Sequence, residues 1–87
     1  MTNKEFTIAC KNLVVDYYNK KAEITDEKQI TVDDVYIVWL CKTLQNNKAL
    51  VSTNVCDGMY YEITYNGDKS EMYIDAYKKW ENVCIKW

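Results

Sequence analysis

The stretch that decides the fold is Met59-Tyr60-Tyr61-Glu62-Ile63-Thr64-Tyr65-Asn66-Gly67-Asp68-Lys69-Ser70-Glu71-Met72-Tyr73-Ile74-Asp75-Ala76-Tyr77. Apolar and polar side chains alternate on both sides of Asn66-Gly67, and this is the strongest short-range signal for a β-hairpin. The stretch also holds five of the chain's eight tyrosines. The sequence therefore predicts an antiparallel hairpin with tyrosine on both of its faces.

The register of this hairpin has two alternatives. A two-residue loop at Asn66-Gly67 sets Glu62 opposite Glu71, which is a destabilising like-charge pair. A four-residue loop from Asn66 to Lys69 sets Glu62 opposite Tyr73 and Tyr61 opposite Ile74 instead. Both registers give the same faces, because side chains alternate with a period of two. The predicted inward set is Tyr61, Ile63, Tyr65, Met72, Ile74 and Ala76.

A second hairpin is predicted upstream. The segment from Thr31 to Leu44 is dominated by β-branched and aromatic residues, which favour a strand, although Thr31-x-x-Asp34 could also start a helix. Gln45–Lys48 is predicted to be the turn, because asparagine tolerates the left-handed conformation of a tight loop. Ala49–Thr53 then returns as the second strand, and Asn54–Gly58 connects the two hairpins.

The N-terminal part of the chain predicts an amphipathic helix over residues 3–22. Thr2-x-x-Glu5 has the spacing of a capping box. Apolar side chains then recur every three to four residues, as they do on one face of a helix. This stripe is Phe6, Ala9, Cys10, Leu13, Val14, Tyr17 and Tyr18.

The last part of the chain, residues 75–87, has two interpretations. Tyr73, Tyr77, Trp80, Cys84 and Trp87 repeat with helical spacing, and this pattern predicts a short C-terminal helix. An edge strand continuing through Val83 and Ile85 is the alternative. The predicted fold class is α+β: an N-terminal helix on an antiparallel sheet of about four strands in two hairpins, with a short C-terminal helix.

Composition sets the class of protein. The 87 residues predict a single domain, 1–87, and 48% hydrophobic with 28% charged residues is typical of a globular chain. The net charge of −2 gives no general attraction to nucleic acid. No apolar run reaches membrane-spanning length, and the first five residues do not open a signal peptide. We therefore expect a cytoplasmic protein without a membrane segment.

The residue inventory excludes most catalytic mechanisms. Without histidine there is no Ser-His-Asp or Cys-His arrangement, and the two glycines are isolated. Cys10, Cys41, Cys56 and Cys84 form no CxxC pair, so we expect reduced thiols rather than a zinc site. Asp33-Asp34 matches no calcium loop, so a capping role for Asp34 is expected. We predict no catalytic residue, no metal and no cofactor.

Four segments resemble a known family: Thr31-Val32-Asp33-Asp34-Val35-Tyr36, Cys41-Lys42-Thr43-Leu44-Gln45-Asn46-Asn47-Lys48-Ala49-Leu50, Asp57-Gly58-Met59-Tyr60-Tyr61-Glu62 and Asp75-Ala76-Tyr77-Lys78-Lys79. They are similar to an uncharacterised family of small proteins encoded by phages and prophages of Gram-positive bacteria. The resemblance implies a bacterial cytoplasm during infection or lysogeny. It also raises the expectation of a protein that binds a host protein, by analogy of context.

The candidate site is the outward face of the Asn-Gly hairpin. Its predicted partner-binding residues are Tyr60, Glu62, Tyr73, Asp75 and Tyr77. Tyrosines beside carboxylates are typical of a protein-binding surface, because tyrosine supplies large rigid area at low entropy cost. The alternatives are ordinary cross-strand pairing that covers a small sheet, a homodimer contact, or single-stranded nucleic-acid binding. Nucleic acid is disfavoured because the chain contains no arginine.

Overall fold

The computed structural model describes all 87 residues and contains one helix and one sheet. Its elements are helix α1 (Asn3–Thr25), a short 3₁₀ turn (Val32–Asp34), and strands β1 (Val35–Thr43), β2 (Asn46–Thr53), β3 (Met59–Asn66) and β4 (Glu71–Lys78). The strands lie in the order β1-β2-β3-β4, and every neighbouring pair is antiparallel. The predicted α+β fold, with a helix on four strands in two hairpins, is confirmed.

Helix α1 starts where the sequence predicts it. The Thr2 amide donates to Glu5 Oε1 at 2.9 Å, and the Glu5 amide donates back to Thr2 Oγ1 at 3.1 Å. This capping box satisfies two amides that the helix itself leaves unpaired. Hydrogen bonding to Thr2, from its backbone amide first and its side chain second, lowers the pKa of the Glu5 carboxyl. The helix ends at Asp26, which adopts a left-handed conformation with φ of 58°.

The hydrophobic core lies between α1 and one face of the sheet. Phe6, Cys10 and Val14 are fully buried and lie one turn apart on the helix. They pack against a cluster from the strands that consists of Val35, Ala49, Val51, Tyr61 and Ile63. Leu13 and Tyr17 also belong to the predicted stripe. They pack against the edge of this cluster and are half-buried. The predicted helix stripe is therefore the inner face of the helix.

The loop between α1 and the sheet is held by one asparagine. Asn19 Nδ2 donates to the Ile30 carbonyl at 3.0 Å, and the Ile30 amide donates to Asn19 Oδ1 at 2.8 Å. These two bonds imitate a strand pair and hold the buried Ile30 side chain in the core. Asn19, a polar residue of α1, therefore fixes the path of the chain from the helix to the sheet.

The first hairpin turns earlier than the sequence predicts. Thr43 pairs with Asn46, so the turn is Leu44-Gln45, and Asn46, Asn47 and Lys48 already belong to β2. The prediction of a Gln45–Lys48 turn is wrong. Leu44, not an asparagine, takes the left-handed conformation, with φ of 55°. The pairing of apolar β2 residues with β1 sets the register and imposes this conformation on a residue that resists it.

The second hairpin has a four-residue loop, Gly67–Ser70, that is displaced by one residue from the predicted four-residue loop. Glu62 lies opposite Asp75, and Asn66 lies opposite Glu71. Both predicted registers are wrong, but each differs from the observed one by an even number of residues. The predicted faces are therefore confirmed: Tyr61 pairs with Ala76, and the apolar set faces α1.

Gly67 is required by a close approach and not by its backbone conformation. Its φ lies outside the left-handed region, which Ser70 occupies in this loop. A Cβ on Gly67 would lie 2.3 Å from the Gln45 carbonyl oxygen in the neighbouring turn. The Gly67 amide also donates to Asn46 Oδ1 at 3.0 Å, and Gln45 Nε2 donates to Asp68 Oδ1 at 2.7 Å. The two hairpin ends are thus tied to each other.

The predicted C-terminal helix is wrong. β4 continues to Lys78, and residues 79–87, which we call the tail, have no regular structure. The alternative strand through Val83 and Ile85 is not formed within this chain either. Only the Lys79 amide is anchored, by a 2.8 Å bond to the carbonyl of Gly58. Tyr73, Tyr77 and Trp80 have helical spacing in the sequence but form no helix, because Tyr73 and Tyr77 are paired with β3 as part of β4.

Candidate protein-binding face

The sheet has one face covered by α1 and one face that no element of the chain covers. The strand registers define the members of this second surface, which we call the open face. Its members are Tyr36, Trp39, Cys41, Lys48, Leu50, Ser52, Tyr60, Glu62, Thr64, Tyr73, Asp75 and Tyr77. An antiparallel sheet commonly exposes one face, but such a face is usually polar.

All five predicted partner-binding residues lie on the open face. Tyr60 lies directly opposite Tyr77, and Glu62 lies directly opposite Asp75. Tyr73 lies further along β4, opposite a threonine. Tyr73, Asp75 and Tyr77 are exposed, whereas Tyr60 and Glu62, on an inner strand, are half-buried. The structure therefore brings the five together as one continuous patch over β3 and β4.

The sequence prediction missed the contribution of the first hairpin to this face. The register between β1 and β2 shifts between Ile37 and Trp39, so β1 has a bulge at Val38. The extra residue reverses the alternation, and Tyr36 and Trp39 come to the same face although they are three positions apart. Leu50 lies opposite Trp39 and extends the apolar area across β2. No local sequence signal marks this bulge; strict alternation would have set Trp39 inward.

The open face carries more acid than base. Its acidic side chains are Glu62, Asp75 and, at its edge, Glu71. Its basic side chain is Lys48, whose Nζ lies 3.5 Å from Glu62 Oε1. The Tyr73 hydroxyl donates to the Glu71 carboxylate, and this bond raises the pKa of Tyr73. Glu62 and Asp75 are like charges on directly opposed positions, which costs stability in the free protein. A cation placed between them would relieve this repulsion.

A shallow cavity of about 300 Å³ lies at the end of the open face near the first hairpin turn. Its lining residues are Trp39, Cys41, Thr43, Asn46, Asn47, Lys48 and Thr64. It offers one indole wall, a lysine and small polar groups. Within this lining Cys41 and Lys48 lie opposite each other on the paired strands β1 and β2.

The four cysteines differ in burial, and burial changes the pKa of one of them. Burial raises the pKa of the Cys10 thiol to about 12, whereas Cys41, Cys56 and Cys84 are exposed free thiols. No group of three or more cysteine or carboxylate side chains is arranged to hold a metal ion.

Asp34 has the predicted capping role, at the 3₁₀ turn before β1. Its carboxylate accepts the Thr31 amide at 2.9 Å and Asn54 Nδ2 at 3.1 Å. These bonds, Thr31 first, lower the pKa of Asp34. The carboxylate thereby connects the strand entry to the loop after β2.

Fold and site together define a small α+β domain in which a single helix covers one face of a four-stranded antiparallel meander and leaves an aromatic, acidic face open. The model of a family of unknown function, DUF6275, matches residues 7–87, and the chain belongs to that family. No curated protein and no solved structure matches the chain. None of its helices combines the length and the apolar character that crossing a membrane requires.

Proposed function

We propose that this protein is a non-enzymatic accessory protein of a phage or prophage that acts by binding another protein through the open face. The observation that carries the proposal is the concentration of aromatic side chains on a surface that nothing in the chain covers. Tyr36, Trp39, Tyr60, Tyr73 and Tyr77 lie there together. Tyrosine and tryptophan are the side chains that most often dominate the binding energy of protein interfaces.

The charge of the face specifies the chemistry of the partner. A segment with apolar side chains and one or more lysines or arginines would bury the aromatic area and pair with Glu62 and Asp75. A nucleic-acid strand would also stack on the aromatic rings, but its phosphates would meet the carboxylates of this face. The excess of acid therefore supports a protein partner over a nucleic acid.

The biological setting of the proposal comes from the family resemblance. The resemblance to small phage and prophage proteins implies the cytoplasm of a Gram-positive host as the place of action. A host defence or replication factor, including a nuclease effector, is the class of partner we propose there. The open face is well suited to this task, because it needs no cofactor and no conformational change to present its rings.

The proposal is tested by affinity capture from a Gram-positive lysate, read by mass spectrometry. Tyr60→Ala combined with Tyr73→Ala removes two rings of the face and should abolish capture of the partner. Ile8→Ala combined with Ile24→Ala is the matched control, because both isoleucines are exposed apolar residues of α1, on the other side of the molecule. The same partner captured by the wild type and the tyrosine variant would disprove the proposed face.

A structural, self-assembling homodimer is the second candidate function. The observation that favours it is the tail, whose large apolar side chains, including two tryptophans, are exposed.

A further inference from the structure

The tail, residues 79–87, is an exposed apolar segment outside the open face. Trp80 is 93% exposed, and Val83, Ile85 and Trp87 are exposed as well. Two tryptophans in water are unfavourable, since burying a large apolar side chain releases free energy in proportion to the apolar area removed from water. Such a segment is expected to lie on another surface when one is within reach.

The accessible surface and the radius of gyration are both larger than those of a compact monomer of this length. The accessible surface is 6532 Å², whereas a compact monomer of this mass exposes about 5,350 Å². The radius of gyration is 14.2 Å, compared with about 12 Å for a compact domain of this length. The excess surface of roughly 1,200 Å² exceeds the roughly 800 Å² that each partner buries in a standard protein interface.

The tail matches the open face in charge and in side-chain type. Lys79 and Lys86 outnumber the one acidic side chain of the tail, Glu81, and the open face offers Glu62 and Asp75 beside its aromatic rings. In an extended segment Val83, Ile85 and Trp87 share one side, whereas Trp80 lies on the side of Asn82, Cys84 and Lys86. Lysine beside tyrosine or tryptophan rings adds cation–π attraction to the charge pairing.

The geometry at the start of the tail directs it away from its own open face. The Lys79 amide is bonded to the Gly58 carbonyl, so the chain leaves the sheet in the direction of β4. To reach its own open face the tail would have to reverse at the edge of the sheet, within the few residues around Asn82. A second molecule can receive the tail without such a reversal.

We propose that the tail of a second copy of this chain occupies the open face, in a reciprocal dimer in which each tail lies on the partner's sheet. Such a contact is isologous, so two-fold symmetry pairs each tail with each face and closes the assembly. The inference rests on the same face as the proposed function and names its first occupant. Any other protein that binds the face then competes with the tail, and dilution of the protein favours that competitor.

The experiment is sedimentation velocity of the full chain between about 1 and 500 μM, a range that covers weak and standard dimers. We expect a concentration-dependent dimer of twice 10.3 kDa. Trp80→Ser combined with Trp87→Ser should raise the dimer Kd at least about 30-fold, the effect of losing one interface hot spot. Both side chains are exposed, so the far-UV circular dichroism should not change.

Two further variants locate the contact. Ile24→Ser combined with Leu44→Ser removes two equally exposed apolar side chains elsewhere and should leave the Kd unchanged. Asp75→Lys should weaken the dimer about ten-fold by placing a lysine against the lysines of the tail. Adding Lys86→Glu to Asp75→Lys should recover affinity, because one charge of the face and one charge of the tail are then exchanged.

Three results would overturn the inference: a wild type that stays monomeric to the highest concentration, tryptophan variants that dimerise like the wild type, or Asp75→Lys without effect. A monomer with shielded tail tryptophans would show instead that the tail folds onto its own chain. The proposed function is judged separately by lysate capture. Trp80→Ser with Trp87→Ser leaves the open face intact, so a lost dimer with retained capture would sustain both proposals.

Discussion

Replacing Asn47 with leucine should stabilise the protein, which is an unusual expectation for a core substitution. Asn47 is only 1% exposed and lies on β2 two residues before Ala49, on the face that α1 covers. Its partners across the sheet are Lys42 and Tyr65. Neither the Nδ2 nor the Oδ1 atom of Asn47 has a hydrogen-bond partner in the protein. The fold therefore buries an amide without compensation.

The magnitude follows from two contributions of the same sign. An unpaired buried amide costs about 1–3 kcal/mol by protein mutational data. Leucine has the same branched arrangement of four side-chain heavy atoms, so it leaves no cavity and adds the transfer free energy of an apolar side chain, although its bulkier methyl groups cost part of that gain. We expect the free energy of unfolding to rise by about 2 kcal/mol, which for a domain of this size raises Tm by roughly 8–16 °C.

The assay is urea unfolding followed by circular dichroism at low micromolar protein, together with a thermal melt. The midpoint should rise with an unchanged m-value, because the exposed surface of the unfolded chain is nearly the same. Asn47→Asp is the matched comparison: it keeps the size, places a carboxylate in the same buried position, and should destabilise strongly. If Asn47→Leu lowers the free energy of unfolding by more than about 1 kcal/mol, the amide is satisfied in solution and the reasoning is refuted.

Three other predictions concern Gly67 and Leu44 in the two turns and the buried Cys10 thiol and Tyr61 hydroxyl. Gly67→Ala should lower the free energy of unfolding by about 1–3 kcal/mol, because the new Cβ would overlap the Gln45 carbonyl; an unchanged urea midpoint would show that this turn moves freely. Leu44→Asn should raise the free energy of unfolding by about 1 kcal/mol, since asparagine tolerates the left-handed conformation better; a lower thermal midpoint would contradict the strain. Burial raises the pKa values of Cys10 and Tyr61 to about 12, above their ordinary values of 9.0 and 10.0. The unfolded chain therefore loses these protons first, so stability should be constant up to about pH 8 and fall above it. One proton is worth about 1.4 kcal/mol per pH unit, so the fall should steepen from roughly 1 kcal/mol per pH unit near pH 9 to roughly 2 kcal/mol per pH unit near pH 10–11, where both groups ionise in the unfolded chain; urea midpoints that stay flat to pH 11 would exclude this.

Local patterns predicted much of the fold. The capping box and the three-to-four spacing of apolar residues are properties of neighbouring turns of one helix, so the sequence alone located α1 and its buried side. The alternation around Asn66-Gly67 likewise assigned every aromatic of β3 and β4 to a face, and the five predicted site residues share one face in the structure. This assignment depends only on the two-residue period of a strand, and it survived two wrong registers.

Other features of the candidate site depend on contacts between distant segments. The bulge at Val38 brings Trp39 to the open face, and it exists because β1 must match the apolar face of β2 beneath the helix. The same pairing competition forced Leu44 into the first turn in place of an asparagine.

The sequence by itself determined an amphipathic helix, two hairpins and the division of the tyrosines between two faces, because each of these follows from the geometry of a single element. Only the tertiary structure decided that the helix covers one face alone, that Tyr36 and Trp39 join the other, and that the tail continues from β4 without packing on its own chain. These outcomes depend on hydrogen bonds and apolar contacts between residues far apart in the chain, whose free energies outweigh local preference.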